Sequence, residues 1–226
     1  MQRIPILAYH RVVDTVPTDD YYHICLPREV FVEQMRSLAD EGYQTIPLER
    51  AAAVMRGRRP VDPRWIVLTF DDGYLDTFET AAPILMEHGF TATVFVVAGL
   101  VGKRSLWDAG KCCTAPLMDW ARIEQLLQWG FSIGSHTVTH PELAALARED
   151  AQHEIVRSRE LLEQRLSRAI TTFCYPFGEW NETTYGLVRA AGYTAACNDY
   201  WREEHRLFAL ARRDPGQLAH PFPRSA

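Results

Sequence analysis

Several short stretches of the sequence carry side chains suited to chemistry. Thr69-Phe70-Asp71-Asp72-Gly73 sets two carboxylates side by side at the end of an apolar run. His136-Thr137-Val138-Thr139-His140 sets two imidazoles four residues apart, and Pro141 follows directly. Tyr175-Pro176-Phe177-Gly178 closes another apolar run, and His10 closes the first. Adjacent carboxylates at a strand end face different ways, because strand side chains alternate. One can hold a cation while the other faces a substrate, and Gly73 permits a sharp turn behind them. Histidines at i and i+4 share a helix face. The residue before a proline avoids the helical region, however, so His136 and His140 are expected on a strand end and the turn leaving it. One aspartate and two histidines make a three-ligand set with open positions, the pattern of catalytic zinc. The same set suits non-haem iron(II), so ligand type alone does not fix the metal. Singly, each motif has a plainer reading: a helix-capping aspartate, or histidines on a solvated loop.

Apolar runs at 4–9, 43–46, 65–70, 91–97, 131–134, 171–175 and 193–197 read as the strands that position these residues. Helical periodicity fills 28–41, 48–56, 74–88, 119–129, 142–166 and 182–191. Gly42, Gly89, Gly130 and Gly192 each follow a helical stretch and precede an aromatic residue and a strand. That is the mark of a left-handed residue just past a helix end. Repeated helix–Gly–strand units predict parallel strands with helical crossovers. Their number favours a (β/α) barrel, whose reacting groups project from the C-terminal ends of strands. Segments 13–26 and 98–116 read as long irregular connections, which in a compact domain often carry function. The Arg/Glu-rich stretch 148–168 reads as a solvated helix laced by i,i+4 pairs rather than a partner site.

The chain has 226 residues, the size of one domain, divided here into a barrel over 1–213 and a Pro-containing tail over 214–226. With 24 basic and 29 acidic residues the net charge is −5, which argues against nucleic acid as a partner. No apolar run approaches the roughly 20 residues of a membrane span. The start, Met1-Gln2-Arg3-Ile4-Pro5, lacks the apolar core of a signal peptide. The five cysteines include no C-x-x-C, and Cys112 adjoins Cys113. They are expected to be reduced thiols in a cytoplasmic protein.

The Asp71-Asp72-Gly73, His136…His140 and Tyr175-Pro176-Phe177-Gly178 motifs, in this order and at strand ends, resemble the polysaccharide deacetylase family of carbohydrate esterases. The opening Ile6-Leu7-Ala8-Tyr9-His10-Arg11-Val12 resembles the branch of bacterial exopolysaccharide poly-N-acetylglucosamine deacetylases. The resemblance runs from Ile4 to about Arg213 and implies a distorted (β/α)7 barrel of parallel strands, in a single α/β domain. It implies a divalent metal, usually zinc, held by Asp72, His136 and His140. It makes Asp71 the general base and turns the backbone N–H of Phe177 toward the oxyanion. The departing amine needs a proton donor. Most of the family uses a His in a C-terminal Leu-x-His, which Leu218-Ala219-His220 matches in letter. That match lies in a Pro-rich tail with no strand before it. His10 ends the first strand, and in the resembling branch the motif is permuted to the N-terminus, so His10 is the expected acid and His220 the alternative.

The sequence departs from the family at two points. Cys174 stands where most members place an arginine that pairs with the catalytic aspartate, so Arg212 or Arg213 is expected to supply that charge. The buried tryptophan of the fourth motif is matched only by Trp201. Tyr175, Pro176, Trp107 and Trp201 are the candidate substrate-loop residues, and Tyr21 and Tyr22 share the long connections with Trp107. The implied reaction is removal of acetyl groups from N-acetylated amino sugars in a glycan or glycolipid. The alternatives are the same chemistry on O-acetyl, formamido or nucleotide- or lipid-linked sugars, and a catalytically silent glycan-binding relative.

Overall fold

The apolar runs become short parallel strands separated by helices. The computed structural model describes residues 4–57, 60–109, 114–198, 206–213 and 215. In chain order the elements are β1 (Ile6–Tyr9), β2 (Arg11–Val13), β3 (Cys25–Pro27), α1 (Arg28–Asp40), β4 (Gln44–Thr45), α2 (Leu48–Arg56), β5 (Trp65–Phe70), α3 (Ala82–Glu87), β6 (Thr93–Val96), α4 (Trp120–Gln128), β7 (Ser132–Ser135), α5 (Arg148–Leu166), β8 (Thr172–Cys174), α6 (Glu182–Ala190) and β9 (Ala195–Cys197). The main sheet has seven strands in the order β1-β5-β6-β7-β8-β9, with β4 pairing to the start of β5, and every pairing is parallel. Strands covered on both faces should be almost wholly apolar, and β1, β6, β8 and β9 are buried throughout. Residues 207–213 cross from β9 to β1 by single bridges rather than a ladder. Leu210 bridges Cys197 and Arg213 bridges Leu7. The Arg213 N–H donates to the Ile6 carbonyl (2.9 Å), and its own carbonyl accepts from Ala8 (2.9 Å). The barrel of parallel strands expected from the helix–Gly–strand repeat is the observed architecture.

The structure changes three local expectations. The connection 13–26 is not wholly irregular, since its ends pair as β2 and β3 in a small parallel sheet beside the barrel. The helix expected over 74–88 splits into a π-helical turn at Thr77–Ala81 followed by α3. Pro83 has no N–H to give the Glu79 carbonyl, so a regular α-turn cannot run through that point. The helix expected from 142 begins at Arg148, after a 3-10 turn at Leu143–Ala145. No described helix is long and apolar enough to cross a membrane. Of the expected tail, Pro215 alone is described, and its carbonyl accepts from Gln34 Nε2 (3.2 Å).

Candidate active site

The chemically equipped residues converge where β1, β5, β7 and β8 end. β5 stops at Phe70, so the two carboxylates part at a turn rather than by strand alternation. The Gly73 N–H donates to the Asp71 carbonyl (2.8 Å) around Asp72, whose φ is 70°. This tight γ-turn is a strained conformation for a non-glycine residue. Six described non-glycine residues have positive φ, and four of them, Asp72, Thr137, His140 and Phe177, belong to the site motifs. Each such residue costs about 1–3 kcal/mol and persists only where its surroundings over-determine it.

The turn sends Asp72 to the histidines. Its Oδ1 lies 3.2 Å from His136 Nε2 and 3.1 Å from His140 Nε2, and all three residues are buried. His136 Nδ1 lies 2.8 Å from the Cys174 carbonyl, which can only accept, so this nitrogen carries the proton. The Nε2 lone pair of the neutral ring is thereby left for a ligand. Asp72 Oδ1 is buried and makes no hydrogen bond. An anionic oxygen crowded against two imidazole nitrogens fits a divalent cation, and the one-carboxylate, two-imidazole donor set suits zinc or another borderline ion. Burial raises the Asp72 carboxyl, but His140 and His136 outweigh it and hold it well below the usual range. Burial lowers His136, but the Asp72 carboxylate against its Nε2 and the charge of Asp71 outweigh burial and raise it. The Trp107 ring stacks on His140 at 4.3 Å, and the Phe177 ring meets it edge-on at 4.7 Å. Trp107, from the second long connection, therefore braces a candidate ligand.

Asp71 has different company. Arg212 clamps it with two hydrogen bonds, Nη1 to Oδ1 at 2.8 Å and Nη2 to Oδ2 at 2.6 Å. The guanidinium is itself held by the Thr69 hydroxyl (3.0 Å) and the Asn198 carbonyl (2.9 Å). Burial raises the Asp71 carboxyl, but the charge and hydrogen bonds of Arg212, joined by the nearby His10 and His136, outweigh it and hold it at about 2. The neighbouring Arg213 is engaged through its backbone with β1. Alternation along an extended segment explains the division, since neighbouring side chains face opposite sides. The Cys174 thiol stands 3.5 Å from Asp71 Oδ2. His10 Nε2 lies 3.6 Å from the same oxygen, just beyond hydrogen-bond reach, and its side chain is 22% exposed.

The Tyr175–Gly178 loop carries the left-handed Phe177 (φ 57°, ψ 10°). Tyr175 and Pro176 are buried beneath it, and the Tyr175 hydroxyl donates to the Phe208 carbonyl (2.9 Å). That bond ties the loop to the segment after β9. Tyr22 sits 6.2 Å from the Phe177 ring, with Tyr21 beyond it. Trp201, His220, Cys112 and Cys113 lie outside the described residues. Sequence reasoning missed Thr69 and Asn198, which hold Arg212, and Glu154. The Glu154 carboxylate, on α5, accepts from the backbone between the two site histidines. Thr69 at least lies within a motif, whereas Glu154 has no local signal.

A family profile described as Polysaccharide deacetylase matches residues 58–196, more than half of the chain. The chain is 29% identical over 192 residues to YxkH of Bacillus subtilis (strain 168), which carries a provisional polysaccharide deacetylase name. That match covers 84% of this chain and 62% of YxkH, so the chain spans about three fifths of its relative's length. The fold is similar to that of Streptococcus pyogenes deacetylase PplD in complex with acetate (TM-score 0.80, 24% identity, 93% of this chain and 91% of the other). It is equally similar to IcaB from Ammonifex degensii (TM-score 0.81, 21% identity, 94% and 91%). At these identities the two structures speak to the fold.

Proposed function

The chain belongs to the polysaccharide deacetylase family, and on that premise we propose that it hydrolyses the acetamido group of N-acetylated amino sugars in a glycan or glycolipid. In this reading Asp72, His136 and His140 hold a divalent cation, zinc, and residues 1–213 form the catalytic unit. The cation supplies Lewis acidity toward the amide carbonyl and acidifies water. Asp71, kept anionic by Arg212, accepts the proton of the attacking water. The backbone N–H of Phe177 donates to the oxygen on which charge develops. His10 protonates the amine nitrogen as the C–N bond breaks, so one amide and one water become acetate and a free amine. The observation that carries the proposal is the division between adjacent carboxylates. Asp72 is turned to two imidazoles, while Asp71 is clamped by a buried guanidinium with His10 3.6 Å away. A glycan-binding protein needs neither a base nor an acid at such a site.

The test is acetate release from N-acetylglucosamine oligomers, with O-acetylated and formamido sugars in the same panel. Metal-loaded protein should release acetate, and chelation or Asp71→Asn should abolish it. His10→Ala should lower turnover by about 100-fold or more, in the range a general acid supplies, while metal stays bound. Unchanged turnover in His10→Ala would transfer the acid role to His220. No release from any sugar by metal-bound protein would leave the glycan-binding reading.

A further inference from the structure

The segment that carries both histidines is held from outside the site by the end of β6 and by one carboxylate of α5. We propose that Glu154, on α5, is a positioning residue that sets the affinity of the Asp72, His136, His140 site for a divalent cation. The inference rests on the metal reading above. Between the histidines the backbone passes through Thr137 (φ 67°) and reaches His140 (φ 66°), both left-handed. Such a path keeps its shape only if neighbours fix it.

The neighbours are of two kinds. From the end of β6, the Ala98 N–H donates to the Thr137 carbonyl and the Gly99 N–H to the Val138 carbonyl, each at 2.9 Å. From α5, one carboxylate takes the donors. Val138 and Thr139 N–H groups both donate to Glu154 Oε2 (2.7 and 2.9 Å), and the Thr139 hydroxyl donates to Oε1 (2.7 Å). One helical turn later Ser158 Oγ lies 2.7 Å from Ser135 Oγ, the residue just before His136. Glu154 and Ser158 are four apart and so share a helix face. Ala151, Ile155 and Leu162 seat that helix in the core. α5 therefore grips the ligand segment at both ends. Glu154 acts through the backbone ahead of His140, by hydrogen bonds strengthened by its charge. Residues that orient ligands in this way tune metal affinity as strongly as many direct contacts.

The experiment is Zn²⁺ affinity by competition with a chromogenic chelator, well below the unfolding temperature, alongside melting of the metal-free chain. Glu154→Ala should weaken Zn²⁺ binding by about 10–100-fold. Glu154→Gln keeps an acceptor oxygen but loses the charge, and should weaken binding by roughly 3–10-fold. Glu160→Gln, an exposed carboxylate on the same helix paired with Arg157, should leave affinity unchanged. A purely structural role would lower the metal-free melting temperature and leave affinity alone, and that result overturns the proposal. So does an equal loss in Glu160→Gln. If Glu154→Ala does not fold, wild-type affinity in Glu154→Gln overturns it as well. A wild-type chain that binds no divalent cation would instead remove the metal reading, and this inference with it.

Discussion

Asp71 and Asp72 share a peptide bond and no side-chain partner in common except the nearby charge of His136. What separates them is the surroundings of each carboxylate, and Arg212 is the decisive neighbour of the first. Removing one member of a buried ion pair leaves the other uncompensated, at a cost of about 3–5 kcal/mol. Arg212→Gln should therefore destabilise the chain and cut kcat/KM. It should also move the acid limb of the pH–rate profile upward. The direction follows from the opposed influences on Asp71: burial raises its pKa, Arg212 is the main influence lowering it, and losing Arg212 shifts the balance upward. Arg213→Gln should leave that limb in place, and a shift in this variant instead would reverse the assignment. His136 gives a second pH effect. Its pKa is raised above the usual imidazole value, so a cation must displace its proton over a wider range. Affinity for Zn²⁺ should fall by about tenfold per pH unit below that pKa, one proton being released on binding. Titration by chelator competition from pH 8 to pH 5 checks it. The candidate ligand residues were legible in the sequence because their types and order single them out. The choice between Arg212 and Arg213 was not, because it depends on which way the chain faces as it crosses from β9 to β1.

At the scale of elements, the site depends on close approach between strands and on turns that few residues accept. Gly134 in β7 lies against the Phe95 ring of β6, where an added Cβ would overlap the ring and come 2.8 Å from Thr172 Oγ1. Gly134→Ala should therefore cost about 1–3 kcal/mol by overpacking. At roughly 2–4 °C per kcal/mol for a chain of this size, a calorimetric melt would register it clearly. An unchanged melting temperature would mean that β6 and β7 can part without loss. Strands and helices were legible because apolar runs and Gly-terminated helices are local signals. The break at Thr77–Ala81 was hidden in a continuous helical pattern, although Pro83 carried its cause. The Arg/Glu-rich helix α5 carries the expected i,i+4 pairing at Arg159–Glu163, with an i,i+3 pair at Arg157–Glu160 beside it. Its reach to the histidine loop was invisible, since Glu154 meets Val138 sixteen residues away in sequence.

For the whole molecule, residues 207–213 do two jobs with one stretch of chain. They bridge β9 to β1, and they deliver Arg212 to Asp71. A chain cut after residue 206 should lose both at once, exposing unpaired strand edges that invite association. The expected result is loss of a cooperative melt together with dye binding to exposed apolar surface. A truncated chain that still melts sharply would show that the remaining strands suffice. Cation binding should act on the whole molecule too. A ligand that binds the folded state alone at 100 times its Kd adds about 2.7 kcal/mol of stability. Zn²⁺ should accordingly raise the melting temperature of wild-type protein. His136→Ala should remove most of that increment.

The sequence by itself determined the parallel α/β architecture, the family and the identity of the residues that meet at the strand ends. Those features rest on periodicity, on glycines after helices and on motifs whose members lie within a few residues of one another. Tertiary structure alone decided which arginine clamps Asp71, that Trp107 braces His140, that Tyr175 ties its loop to the segment after β9, and that α5 reaches the histidine segment. Each of these is a contact between residues far apart in the chain. Such contacts are set by how strands and helices pack, and no local run of residue types records them.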